Sequence, residues 1–231
     1  MNTSSVKAPL GNARGSHSLT SVVYSVFAAI VVSGAFRWFL GRSLERFPEN
    51  GRLAVLTFPA ILFGSFTVWT ALAVVQGYAY PSFGPRDRVL VNIRSGLVAG
   101  VFVSLAALPA LFGKGDFRTE AIVTSMAMRM APVGILGFAL LIAGLPVVGE
   151  LVFRGIVLDA LKDHVSFPAA VLISCLLFTY FWPAFSPPGR IVLSIVSALA
   201  YRRSGSLIPS VVANATFALA SCMAVAWHGI R

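Results

Sequence analysis

Apolar runs long enough to cross a bilayer recur along this chain from residue 19 to residue 228, separated only by short polar segments. A transmembrane helix needs about 20 consecutive apolar residues. Inside lipid its backbone N–H and C=O groups must bond within the segment. A chain of this pattern is expected to be an all-α, multi-pass membrane helix bundle. Composition agrees: 57% of residues are hydrophobic and 11% are charged, whereas a soluble domain carries about 25% charged residues. The runs are spread over the whole length, which excludes a soluble head on a single anchor.

Residues 1–17 are polar and rich in Ser, Gly and Asn, and read as a flexible tail. Residues 18–130 hold the first runs. Leu19–Leu40 ends in Arg37, Trp38, Arg42 and Arg46; it is longer than the apolar region of a signal peptide, about 7–15 residues, and reads as an uncleaved span. Leu53–Tyr78 and Val89–Phe112 follow, with a Pro/Gly turn at Pro81–Pro85 between them. Arg94 stands one turn inside its run, where its stem can snorkel to the interface. Lys114–Arg129 is amphipathic and is expected to lie along the membrane surface. From residue 131 to residue 231 the runs are closely spaced: Ala131–Val147, Val148–Leu161 beyond Pro146, Phe167–Phe185, Ile191–Tyr201 and Leu207–Trp227. The total is about eight spans, one of them short of the length a bilayer requires.

The net charge is +10, from 18 Lys+Arg and 8 Asp+Glu. The basic residues form no face or tail of the kind that binds nucleic acid; they sit between apolar runs, beside lipid headgroups. With eight alternating spans, about ten Lys/Arg fall on one side and about seven on the other, too even for the positive-inside rule to decide. The richer side, after the first, third, fifth and seventh spans, would be the cytoplasm. Cys175 and Cys222 lie inside apolar runs, where cysteine behaves as a small hydrophobe.

A charge within a hydrocarbon span costs about 2.5–3.5 kcal/mol on insertion scales and marks a candidate site. Glu150 and Arg154 form such a pair in Gly149-Glu150-Leu151-Val152-Phe153-Arg154-Gly155. At i,i+4 they share a helix face and can pair. Spacing alone leaves open whether that pair is structural or functional. No His stands in H-E-x-x-H spacing, so a zinc peptidase of that design is excluded; no metal and no cofactor is expected.

Three stretches in order resemble the CPBP family (CAAX protease, Abi) of intramembrane glutamic peptidases. Leu145–Gly155 is similar to its E-E-x-x-x-R motif, Ser174–Trp182 to F-x-x-x-H, and Gly205–Asn214 with Ala218 to a Gly-Ser-Leu-x-Pro lead into H-x-x-x-N. The resemblance implies a first Glu that activates water, two His that assist it and an Asn that helps hold the oxyanion. Those positions are here Gly149, Trp182, Asn214 and Ala218, while Phe178, Glu150 and Arg154 are retained. Gly149 has no side chain, the Trp182 indole donates but cannot accept, and Asn214 is no base.

The resemblance with these losses implies a catalytically degenerate member, a pseudo-peptidase that binds a transmembrane or prenylated partner among membrane lipids. The alternative is an active intramembrane endopeptidase, of CAAX or bacteriocin-immunity type, using Glu150 as its base. The expected location is a prokaryotic plasma membrane. If the motifs converge, Trp182 could fill volume vacated at Gly149; otherwise it is an interfacial aromatic beside Pro183. Asn214, mid-span, needs an interhelical partner, with Glu150 or Arg154 within reach of that role.

Overall fold

The computed structural model describes residues 86–112, 140–181 and 187–229; the expected tail, the first two runs, the amphipathic segment and Trp182 lie outside them. Every element among the described residues is helical. A single 3-10 turn, Arg86–Arg88, leads into α1, Val89–Phe112. Helix α2 is a continuous winding of four pieces: a wide π-type stretch Leu140–Gly144, an α stretch Leu145–Glu150, a second π-type stretch Leu151–Leu158 and a closing α turn Asp159–Leu161. Helices α3, α4 and α5 span Phe167–Phe181, Pro187–Ser204 and Ile208–Gly229.

One expectation needs correction here. The boundary placed between Val147 and Val148 is absent: the winding runs through it without a non-helical residue. Pro146 suggested a break because proline lacks an N–H and its ring crowds the carbonyl four residues back. It stands instead at the start of the α stretch, directly after a π-type turn. A wide turn relaxes the i→i+4 register at the place where the ring would collide.

The connections explain how the elements pack. After α2, His164 and Val165 N–H groups bond the Leu161 carbonyl, both at 3.0 Å, and fold the chain back into α3. At the other hairpin Gly205 takes φ 63° and its N–H caps the Tyr201 carbonyl at 2.8 Å, a left-handed stop that glycine adopts without a Cβ clash. Ser206 Oγ then accepts from the Ile208 N–H at 3.2 Å, and Pro209 sits in the first turn of α5, where its missing N–H costs nothing. The Gly-Ser-Leu-x-Pro stretch is thus a helix stop followed by a helix start.

Helix α1 lies against α5. A Cβ on Gly96 would meet Pro209 O and Val212 Cβ at 2.7 Å, and one on Gly100 would meet Thr216 Cβ at 2.6 Å and Ala213 O at 2.8 Å. Both partners advance together, so α1 and α5 run parallel, and small residues four apart let the backbones approach. In an eight-span alternation these two helices, third and eighth, would run antiparallel; with residues 140–161 as one helix the parity is restored. The start of α1, the α2–α3 turn and the α4–α5 turn therefore share one end of the bundle, where Arg202 also stacks on Phe167 at 4.0 Å.

The surface is apolar and the interior partly polar. Val98 and Phe102 of α1, Leu172 and Leu176 of α3, Leu199 of α4 and Met223 of α5 are exposed, while Glu150, Arg154, Ser174, Ser194, Ser197, Ser210 and Asn214 are buried. Val89–Ala107 is long and apolar enough to cross a membrane, with 22% of that window buried.

Candidate functional site

Helix α2 places Glu150 at the end of its α stretch and Arg154 in the following π-type stretch, both fully buried. Their Oε2 and Nε atoms lie 3.1 Å apart. This is an ion pair whose N–H is not aimed along the contact, since neither atom makes a hydrogen bond. A π-type turn spaces residues differently from an α turn, which accounts for an i,i+4 pair meeting side-on rather than in line.

The pair is anchored from two other helices. From α5, Asn214 Nδ2 donates to Glu150 Oε1 at 3.1 Å. The amide orientation is fixed by chemistry, because the reverse would set two acceptors against each other. From α4, the Ser194 carbonyl and hydroxyl oxygens both accept from Arg154 Nη2 at 2.9 Å. Helix α3 closes the site from beneath: the guanidinium carbon of Arg154 stands 4.7 Å from the centre of the Phe178 ring. Phe178 in turn meets Phe153 edge-on at 5.4 Å, and Ser174 Oγ donates to the Phe153 carbonyl at 3.0 Å.

The structure thus joins Glu150, Arg154, Asn214 and Phe178 in one cluster. Gly149 and Ala218 are buried on the same two helices, next to Glu150 and one turn past Asn214. Trp182 lies outside the described residues. Ser194 is a member that sequence reasoning missed; it lies 40 residues from Arg154 in a run with several serines, and no local spacing singles it out. Gly96 and Gly100 were also passed over, although Gly-x-x-x-Gly within an apolar run is a readable signal for close helix packing.

The chemistry of the cluster is restricted. Both carboxylate oxygens of Glu150 face a donor group, and no surface of the side chain reaches solvent. Arg154 Nη1 and Asn214 Oδ1 are buried without a hydrogen-bond partner. Among the described residues no group of three His, Cys, Asp or Glu is placed to hold a metal ion. A general base needs a free lone pair within reach of a water; here the one carboxylate is committed to a cation and an amide.

Residues 131–220 match the family model described as type II CAAX prenyl endopeptidase Rce1-like. No curated protein and no solved structure matches the chain. The matched region contains α2, α3, α4 and the first part of α5, hence every residue of the cluster.

Proposed function

With residues 131–220 belonging to the CPBP, or CAAX-protease-like, family of integral membrane proteins, we propose that this chain is a catalytically degenerate member of it. In this reading it is a multi-pass membrane protein, in a prokaryotic plasma membrane, that binds a transmembrane or prenylated protein segment without cutting it. The observation that carries the reading is the commitment of Glu150: a fully buried carboxylate held between Arg154 and Asn214. Peptide hydrolysis needs a base for water and donors aimed at the oxyanion. Gly149 supplies no base. Ala218 supplies no donor, and loss of one such donor alone costs roughly 10²–10³ in rate.

Glu150 and Arg154 then act as a polar clamp that ties α2 to α4 and α5. The apolar flanks of α1 and α3 are the natural contact for lipid and for a lipid-borne partner. The test is made with full-length protein in liposomes and a fluorescent prenylated peptide. Bound peptide with no cleavage, in the wild type and in that part of E150Q that remains folded, is the expected result. Cleavage that vanishes in a folded E150Q protein would establish the alternative, an active intramembrane endopeptidase with Glu150 as base. Absence of peptide binding would remove the prenylated partner.

A further inference from the structure

Helices α3 and α4 are joined at three levels. At one end Arg190 Nη1 donates to the Thr179 carbonyl at 2.8 Å. Next, the Cys175 thiol donates to the Ile191 carbonyl at 3.8 Å. At the far end the Arg202 guanidinium carbon stands 4.0 Å from the centre of the Phe167 ring. Residue numbers fall on α3 as they rise on α4, so the two helices are antiparallel and one seam runs between them. Exposed apolar side chains flank it: Ile191, Ile195 and Leu199 on α4, Leu172 and Leu176 on α3. Steps of four, four and three bring Ile191, Ile195, Leu199 and Arg202 onto one face of α4. From Ile191 to Arg202 the helix rises roughly 16 Å, close to half of the about 30 Å hydrocarbon thickness of a bilayer.

The cations at the two ends of the seam are held differently. Arg190 is half-buried and turned onto a backbone carbonyl. Arg202 and Arg203, in the last turn of α4, are exposed, and neither has a hydrogen bond or an ion pair among the described residues. Lys162, at the same end of the bundle, is taken up by Asp159 at 2.6 Å. Asp87 and Asp163 also stand at that end, exposed, and pair with neither arginine. Stacking on Phe167 occupies one face of the Arg202 guanidinium and fixes its plane, while its N–H donors lie along the edge. That edge matches a phosphate, which a guanidinium binds through two parallel hydrogen bonds.

We propose that the α3–α4 seam seats one anionic phospholipid, its phosphate held by Arg202 and Arg203 and an acyl chain laid along Leu172, Ile195 and Ile191. Charge and length both select this occupant. Two open arginines favour a headgroup with no cation of its own, and the apolar stretch beneath them has the depth of one leaflet. The inference does not rest on the pseudo-peptidase reading, since it uses no residue of the Glu150 cluster.

The test is native mass spectrometry of the full-length protein released from nanodiscs that hold phosphatidylglycerol and phosphatidylcholine of matched chains in equal amounts. The expected result is one phosphatidylglycerol retained in preference to phosphatidylcholine. That preference should fall about fivefold in R202Q and again in R203Q, the effect of one arginine at an anionic surface. R94Q, which removes an exposed arginine of α1 at the same end, should leave it unchanged. L172W/I195W, which fills the seam, should lower retention of the lipid itself. Equal retention of the two lipids would overturn the proposal. So would an equal fall in R94Q, which signals diffuse surface charge, or displacement of the lipid by inorganic phosphate, which signals a site for a soluble anion. Undiminished retention in folded L172W/I195W would refute the seam as the seat. Should R202Q fail to fold, R203Q and the wild-type preference decide alone.

Discussion

Replacing Arg154 by Met tests the clamp most directly. The substitution removes the 3.1 Å ion pair, both 2.9 Å bonds to Ser194 and the charge over Phe178. Glu150 is left fully buried with the Asn214 amide as its one remaining hydrogen bond. Breaking a buried pair by removing one partner costs about 3–5 kcal/mol, mostly from the uncompensated charge left behind. At about 1.4 kcal/mol per tenfold, the unfolding equilibrium shifts by two to nearly four powers of ten. E150Q should cost a similar amount, because it strands the guanidinium. The double variant E150Q/R154M should not cost the sum. Its Gln still offers Asn214 an acceptor, and a neutral, packed replacement of a buried pair is often neutral or stabilising. The assay is reversible unfolding in mixed micelles followed by helix circular dichroism, run as a double-mutant cycle. Single variants within about 1 kcal/mol of wild type, the value of a surface pair, would refute a charge-bearing buried clamp. Strict additivity in the double variant would refute the coupling.

Two further outcomes follow from helix geometry. Gly100→Val places a branched side chain where even a Cβ would sit 2.6 Å from Thr216 Cβ and 2.8 Å from the Ala213 carbonyl; a loss of about 1–3 kcal/mol is expected, read in the same unfolding assay, and an unchanged midpoint would show that α1 does not pack on α5 in the membrane. Single cysteines at Asp87, His164 and Gly205, in a background lacking Cys175 and Cys222, should react with an impermeant maleimide from one side of sealed vesicles, with Pro188→Cys reacting from the other; Asp87→Cys and Gly205→Cys labelling from opposite sides would restore the eight-span alternation.

The sequence made the apolar runs and the charged pair visible, and for a physical reason. Both are local: a span is a contiguous stretch, and Glu150 with Arg154 is one helical turn. Val89–Phe112 was readable to the residue because its ends are set by a Pro/Gly turn and a basic cluster on one side and by Gly113 and Lys114 on the other. The Asn214 contact could be anticipated since an amide in an apolar span must find a polar partner. Ser194 could not, because serine tolerates a span by bonding its own helix backbone, and nothing local tells which serine turns outward to a neighbour.

The α2 boundary failed for a different reason. A break is only one way to accommodate the proline ring; a widened turn is another, and the choice depends on what surrounds the helix. The consequence reaches beyond one boundary. Counting Ala131–Val147 and Val148–Leu161 separately inverts every later span relative to α1. The two glycines of α1 correct this without any reference to a membrane, because Gly96 faces Pro209 and Val212 while Gly100 faces Ala213 and Thr216. Two contacts that advance together admit only a parallel arrangement. With it, the α4–α5 turn, the start of α1 and the α2–α3 turn fall on one face of the bundle.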